Sequence, residues 1–235
     1  MTSATWHVDI LTLFPEMFPG PLGHSIAGKA LEKGLWSLKT HDIRAYGEGT
    51  HKVVDDTPCG GGPGMVMKVD VLDTAISGLF KQNGKCPIYY LSPRGKPITQ
   101  KMIKTLAKHP QIALLCGRYE GVDERLFELH DIEEISLGDF ILSGGELPAL
   151  SLIDACVRLL PGVMGAETSA DSESFEGDLL EYPHYTRPRT YKGFEVPEIL
   201  LSGDHAKIDA WRQEKAEEIT KTRRPDLWER VNKAR

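Results

Sequence analysis

Residues 111–121, Gln-Ile-Ala-Leu-Leu-Cys-Gly-Arg-Tyr-Glu-Gly, join a short apolar run to a loop that begins and ends with glycine. The run lacks alternation of polar and apolar residues, which predicts a strand buried on both faces, as in a parallel sheet. A second apolar run, 87–91, leads into Ser92-Pro93, and a third candidate strand covers 8–14. These three segments indicate a buried sheet with loops at the ends of its strands.

Helical spacing separates the candidate strands. Apolar residues recur every three or four positions at Val71, Leu72, Ala75, Ile76 and Leu79, and Thr99 is placed to cap a second helix that stops before Pro110. Strands that alternate with helices predict an α/β domain with a parallel sheet. Further along, 146–160 predicts a longer helix, and the polar stretch 165–178 predicts a linker or lid. Asp204 is expected to cap a helix from His205 to about Thr222, and Arg223-Arg224-Pro225 to begin another.

The charge of the chain is unevenly distributed. The 235 residues carry a net charge of −6, yet residues from Pro183 onward contain 12 Lys and Arg against 9 Asp and Glu, a net of +3. A basic tail on an acidic body fits a local phosphate-binding surface, and it equally fits an ordinary solvated helix.

Location is constrained by what the sequence lacks. No apolar run approaches the ~20 residues that span a bilayer, and the first residues do not resemble a signal peptide. The four cysteines show no Cys-x-x-Cys spacing: Cys59, Cys86, Cys116 and Cys156. Reduced thiols and a cytoplasmic location are therefore expected.

Glycines concentrate in three clusters, 60–64, 117–121 and 137–146. Ligands of open α/β sheets bind beyond the carboxyl ends of the strands, where glycine lets the backbone approach them closely. Two such clusters after two such strands therefore predict one shared pocket for a flat ligand; tight turns without a ligand are the alternative. No cluster matches a P-loop or a dinucleotide fingerprint, and no zinc spacing is present, which disfavours nucleotide hydrolases, NAD enzymes and zinc proteins.

Several segments in order along the chain resemble the bacterial tRNA (guanine-N1)-methyltransferases (TrmD). The resemblance rests on segments 54–65, 90–93, 116–125, 136–148, 161–163 and 183–188, and it extends from about Phe14 to Leu201. It implies a parallel sheet with a deep trefoil knot (SPOUT-like) plus a small helical C-terminal domain. The implied boundaries are 1–160 for a knotted S-adenosylmethionine-binding domain, 161–177 for a flexible linker and 178–235 for a tRNA-binding domain.

By the same resemblance, the strand-following loops bind the methyl donor. The implied donor-binding residues are Tyr90, Leu91, Ser92, Pro93, Gly117, Tyr119, Glu120, Gly121, Ser136, Leu137, Gly138, Asp139, Phe140, Ile141, Leu142, Gly144 and Gly145. Glu120 is expected either to favour the sulfonium cation or to serve as a structural carboxylate that caps a turn. The family also implies a homodimer. It implies magnesium as well, although the sequence shows no dedicated metal site.

The resemblance further implies attack of guanine N1, at position 37 of tRNA, on the donor's methyl group. Arg158 matches the family's arginine, expected to stabilise charge on O6; a surface helix arginine is the alternative. A carboxylate is expected to remove the N1 proton. The family has aspartate directly before Ser-Phe, whereas this chain has Glu173, with Asp171 as the alternative base. A second departure is Cys59, where an aromatic residue is usual.

The partner implied for the C-terminal helices is the tRNA anticodon stem-loop. Candidate phosphate contacts are Arg187, Arg189, Lys192, Arg212, Lys215, Lys221, Arg223 and Arg224. Three alternatives stay open: a knotted methyltransferase acting on rRNA or on a ribose hydroxyl, a non-catalytic RNA-binding protein on the same fold, and a small-molecule nucleotide enzyme.

Overall fold

A computed structural model describes residues 5–164 and 173–234. The chain divides into two compact units, residues 1–165 and 166–235. The first unit alternates strands and helices in this order: β1 Trp6–Thr12, α1 Ser25–Glu32, β2 Trp36–Asp42, β3 Asp55–Asp56, β4 Val66–Met67, α2 Val69–Asn83, β5 Ile88–Pro97, α3 Gln100–Leu106, β6 Gln111–Cys116, α4 Leu126–Leu129, β7 Ile132–Ser136 and α5 Glu146–Val157.

Five strands of the first unit form one parallel sheet, in the order β2-β1-β6-β5-β7, and β3 and β4 form a separate antiparallel pair. The prediction of an α/β domain with a parallel sheet is therefore confirmed. Side chains of β6 alternate between the two faces: Ile112, Leu114 and Cys116 join one apolar cluster, whereas Ala113 and Leu115 join the other. Since both faces are covered, residues 112–116 of β6 are apolar without alternation.

The helices cover opposite faces of this sheet. Helix α2 contributes Val71, Leu72, Ala75, Ile76 and Leu79 to the cluster that holds Leu115. Helices α3 and α5 pack on the other face, together with the buried indoles of Trp6 and Trp36. The Thr99 hydroxyl caps α3 as predicted, since it accepts a hydrogen bond from the Met102 amide at 3.2 Å.

Two predicted boundaries differ from the structure for local reasons. The first strand was expected at 8–14, but β1 ends at Thr12, whose hydroxyl accepts a hydrogen bond from the Phe14 amide at 3.0 Å and turns the chain. The long helix was expected to reach Leu160, but α5 ends at Val157. Leu160 N donates to Val157 O over three residues, so the last turn tightens and Arg158 becomes a cap residue.

The second unit contains a short hairpin, β8 Thr190–Tyr191 with β9 Phe194–Glu195, followed by α6 His205–Arg223 and α7 Pro225–Ala234. Asp204 caps α6 as predicted, accepting from the Lys207 amide at 3.2 Å. The core of this unit includes Ile208, Ala216, Thr220, Leu227 and Val231. Most of the predicted linker 165–178 lies outside the described residues.

Candidate ligand-binding site

Strand register brings three loops to one edge of the parallel sheet. Leu91 at the end of the buried part of β5 pairs with Cys116 on one side and with Ile135 on the other. The segments that follow these three residues therefore start side by side. Together they enclose a cavity of about 280 Å³, near the lower end of the range for small-molecule sites.

Strand β5 is interrupted where it borders this cavity. Both Leu91 and Lys96 pair with Ile135, so the four residues between them bulge out of the ladder. The bulge carries Ser92, Pro93 and Arg94 into the cavity wall. The sequence predicted a strand that stops at Leu91; the structure instead continues pairing after the bulge, to Pro97.

Glycines at the cavity wall are required by close packing. A Cβ atom on Gly117 would lie 2.6 Å from Tyr90 Cε2, and one on Gly145 would lie 2.7 Å from the Cys116 Cα atom. The Gly145 amide also donates a hydrogen bond to the Gly117 carbonyl at 3.0 Å. These contacts join the loop after β6 directly to the loop before α5, and no larger residue fits without displacing one of them.

The turn Arg118–Gly121 presents the side chains of Arg118, Tyr119 and Glu120 at the cavity. The Gly121 amide donates to the Arg118 carbonyl at 3.1 Å, and the Glu120 amide donates to the Met65 carbonyl at 2.9 Å. Tyr119 has φ +59°, a left-handed conformation that is uncommon for a large side chain and is held here by the surrounding bonds. Glu120 is exposed, and among the described residues its carboxylate makes no hydrogen bond or ion pair, which favours a ligand-facing role over a turn cap.

A buried polar network lies behind this turn. Arg118 Nη2 lies 2.8 Å from Glu146 Oε2, and Glu146 Oε1 accepts a hydrogen bond from the Thr12 hydroxyl at 2.8 Å. The Glu146 carboxylate is 1% exposed and the Arg118 side chain 18%. The sequence analysis assigned no role to either residue; a charged residue that opens an apolar helix after two glycines is the signal that could have identified Glu146.

Tyr90 and Ser136 add fixed polar groups to the wall. Burial, with a smaller contribution from Glu134, raises the pKa of the Tyr90 phenol to about 12. Tyr90 therefore stays protonated near neutral pH and is a hydrogen-bond donor, not a base. The Ser136 hydroxyl and the backbone of Gly138 lie 3.1–3.2 Å apart, which closes the turn after β7.

The structure gathers the predicted pocket residues with one exception. All of those named from the resemblance line the cavity except Asp139, which is exposed on the same loop. Five residues outside the set named from the resemblance also line it: Arg94, Arg118, Val122, Ser143 and Pro148. Four apolar side chains at the mouth are exposed to solvent: Leu137, Phe140, Ile141 and Leu142.

Of the three candidate catalytic residues, Arg158 is the one that belongs to the first unit. Arg158 directly follows α5, is half-buried and has an interaction partner, but it does not line the cavity of the first unit. Glu173 belongs to the second unit, is half-buried and also has a partner. Asp171 lies outside the described residues.

Several predicted phosphate contacts in the second unit are engaged by carboxylates. Arg189 pairs with Glu198, Arg224 with Asp226, and Lys215 with Glu218. Arg212 pairs with Asp209 and also stacks over the Tyr182 ring, 4.9 Å from its centroid. A phosphate would have to replace these exposed pairs, each of which contributes little stability.

Two features are absent from the described residues. They contain no group of three or more His, Cys, Asp or Glu side chains arranged to hold a metal ion. None of their helices is both long enough and apolar enough to cross a membrane.

Comparison with known proteins connects this geometry to one family. Residues 6–230 match the profile of the family described as tRNA (Guanine-1)-methyltransferase TrmD. A protein named tRNA (guanine-N(1)-)-methyltransferase from Gluconobacter oxydans is 58% identical over 96% of each chain. Proteins of the same name from Sphingopyxis alaskensis and Rhodospirillum rubrum are 59% and 58% identical over 96% of this chain, and over 92% and 94% of their own lengths. The chain therefore belongs to the tRNA (guanine-1)-methyltransferase TrmD family.

Proposed function

We propose that this protein transfers a methyl group from S-adenosylmethionine to N1 of the guanosine at position 37 of tRNA, beside the anticodon. The observation that carries the proposal is the cavity formed by the bulge of β5 and by the glycine clusters 117–121 and 137–146 in a chain of this family; the cluster 60–64 does not line it. A cavity lined by backbone at the carboxyl edge of a parallel sheet suits an adenine-containing ligand.

The chemistry of the cavity wall fits such a methyl donor. The cavity wall contains five glycines, Gly117, Gly121, Gly138, Gly144 and Gly145, and glycine lets a ligand such as the polar edge of an adenine approach the backbone closely. Leu137 and Leu142, both 38% exposed, supply apolar surface for the faces of its ring. The Glu120 carboxylate, which has no hydrogen-bond or ion-pair partner among the described residues, would favour the positive sulfonium, the group that makes the methyl carbon electrophilic.

The proposed transfer requires a base and a cation from the chain. We assign Glu173 to remove the N1 proton, with Asp171 as the alternative, and Arg158 to stabilise the negative charge that develops on guanine O6. N1 forms a bond to the methyl carbon as the sulfur–carbon bond breaks, leaving S-adenosylhomocysteine. A carboxylate can contribute about 10²–10⁴-fold to such a step.

The longer side chain of Glu173 is the one chemical departure in this arrangement. One additional C–C bond moves a carboxylate by about 1.5 Å, and a misplacement of about 1 Å in a rigid site costs roughly 10²-fold. A segment that adjusts its backbone on binding tRNA would absorb the difference.

The proposal extends to assembly. It includes a deep trefoil knot in the strand-following loops and a homodimer in which each site is completed by the partner chain. The proposal also includes magnesium. The described residues contain no group of side chains arranged to hold a metal ion, so the oxygen ligands of magnesium would come together only when the substrates bind.

The test is transfer of a labelled methyl group from S-adenosylmethionine to tRNA transcripts carrying guanosine or adenosine at position 37. Wild type, Glu173→Gln and Asp171→Asn are compared at saturating donor. We expect guanosine-dependent transfer that falls at least 100-fold in Glu173→Gln and is retained in Asp171→Asn; the reverse pattern would reassign the base to Asp171.

A second candidate function comes from the same departure at Glu173. Absence of transfer by the wild type, with donor and tRNA still bound, would refute the enzymatic proposal and leave an RNA-binding protein.

A further inference from the structure

The side chain of Arg118 connects two walls of the cavity. Its own backbone begins the strained turn Arg118–Gly121, whereas its Nη1 donates a hydrogen bond to the Ser143 carbonyl, 3.1 Å away, in the loop before α5. Its Nη2 lies 2.8 Å from the Glu146 carboxylate, which opens that helix. A single guanidinium therefore connects the loop after β6 to the loop and helix that face it.

The other face of the guanidinium is held by the end of β1. The Arg118 Cζ atom lies 4.3 Å from the centroid of the Phe14 ring, a cation–π distance. The Thr12 hydroxyl donates to Glu146 while accepting from the Phe14 amide, so both partners of Arg118 are tied to the same strand end. Planar stacking on Phe14, combined with a directed hydrogen bond to Ser143 and an ion pair with Glu146, uses properties of arginine that lysine lacks.

Glu146 requires this cation. A carboxylate that is 1% exposed is costly unless it is paired, and the cation that the structure places against it is Arg118. Its position in the first turn of α5 adds the favourable field of the helix N-terminus. The pair is thus fixed at the helix end, and Arg118 transmits that fixed position to the turn that carries Tyr119 and Glu120.

We propose that Arg118 is a positioning residue that sets the separation of the two cavity walls and thereby the affinity for the methyl donor. In the described structure, two polar links join the loop after β6 to the segment 143–146. One is the hydrogen bond between Gly145 and Gly117, and the other is formed by the Arg118 side chain. The identity of the donor rests on the proposed function, whereas the connection itself rests only on the contacts of Arg118.

The substitution Arg118→Lys separates positioning from stability. Lysine keeps a positive charge for Glu146, but its single ammonium cannot stack on Phe14 and reach Ser143 and Glu146 together. We expect the variant to remain folded, with a dissociation constant for S-adenosylmethionine raised roughly tenfold, the loss typical of a charge-assisted hydrogen bond. At saturating donor, kcat should change much less than KM.

A matched control is available on the same loop. Arg125 also forms a paired contact with a carboxylate, Asp123, but both lie outside the cavity wall. Calorimetric titration with S-adenosylmethionine, without tRNA, should give Arg125→Ala the affinity of the wild type. An Arg118→Lys variant that binds the donor as tightly as the wild type would overturn the proposal.

Hydrogen–deuterium exchange without ligand tests the connection independently of the donor. Faster exchange in Arg118→Lys, confined to segments 117–121 and 143–146, is the expected result. Unchanged exchange there would refute the inference, even if methyl transfer is confirmed. Failure of the wild type to bind S-adenosylmethionine would instead refute the proposed function, and the exchange data would still decide the role of Arg118.

Discussion

Replacing Gly145 by alanine is the most direct test of how the cavity walls are packed. The added Cβ atom would lie 2.7 Å from the Cys116 Cα atom and 3.1 Å from the Gly117 amide nitrogen. Both neighbours are backbone atoms at the end of a central strand, so neither moves without shifting β6 itself. The substitution also separates the Gly145 amide from the Gly117 carbonyl that it bonds at 3.0 Å.

The expected cost follows from these two changes. Overpacking a well-packed site costs about 1–3 kcal/mol, and loss of a backbone hydrogen bond costs about 0.5–1.5 kcal/mol. The sum is roughly 2–4 kcal/mol of unfolding free energy, which for a unit of this size lowers Tm by roughly 5–15 °C. Donor affinity should fall as well, because Gly145 forms part of the wall.

Thermal unfolding and calorimetric titration with S-adenosylmethionine measure both effects. Gly23→Ala is the matched control, since its Cβ atom would meet only Pro19 Cγ at an ordinary 3.5 Å, and we expect its Tm to stay within about 2 °C of the wild type. A Gly145→Ala variant with wild-type Tm and wild-type donor affinity would show that the loop before α5 is free to move, and would refute this account of the cavity.

Three further results are expected. Burial raises the pKa of Asp9, but hydrogen bonds with His41 and His7 outweigh it and hold the pKa well below the usual range of an aspartate. Asp9→Asn should therefore lower the free energy of unfolding at pH 7. The difference from the wild type should shrink as pH falls below about 4, because a depressed carboxylate pKa stabilises the fold above the unfolded pKa and that contribution is lost on acidification. A difference in urea unfolding that does not change with pH would contradict this. Cys59 is exposed, whereas burial raises the pKa of Cys156 to about 12. A thiol reagent should therefore modify Cys59 rapidly and Cys156 only on unfolding. A fast phase of thiol modification that persists in Cys59→Ser would argue against this. Because the pKa of Tyr90 is raised to about 12, Tyr90→Phe should leave the pH profile of methyl transfer between pH 7 and 9 unchanged in shape, and a lost ionisation would identify Tyr90 as a base.

Features of the fold that are determined by residues close together in the sequence were predictable. The run 111–116 coincides with β6, and the caps at Thr99 and Asp204 form the expected bonds, because a strand buried on both faces and a helix cap are determined within a few residues. Strands β2 and β7 were missed. Both contain polar or charged residues, and β7, Ile-Glu-Glu-Ile-Ser, lies at the sheet edge, where apolar patterning is weak.

The sequence by itself determined the α/β class, three of the five strands of the main sheet and, through family resemblance, most residues of the cavity wall. Only the tertiary structure decided that the loops after β5, β6 and β7 meet, because strand order and register place Leu91 between Cys116 and Ile135. The Arg118–Glu146 pair was also decided there. Its members are far apart along the chain, and no local spacing requires a buried carboxylate to find its cation; that pairing follows from the cost of leaving the charge alone in the folded interior.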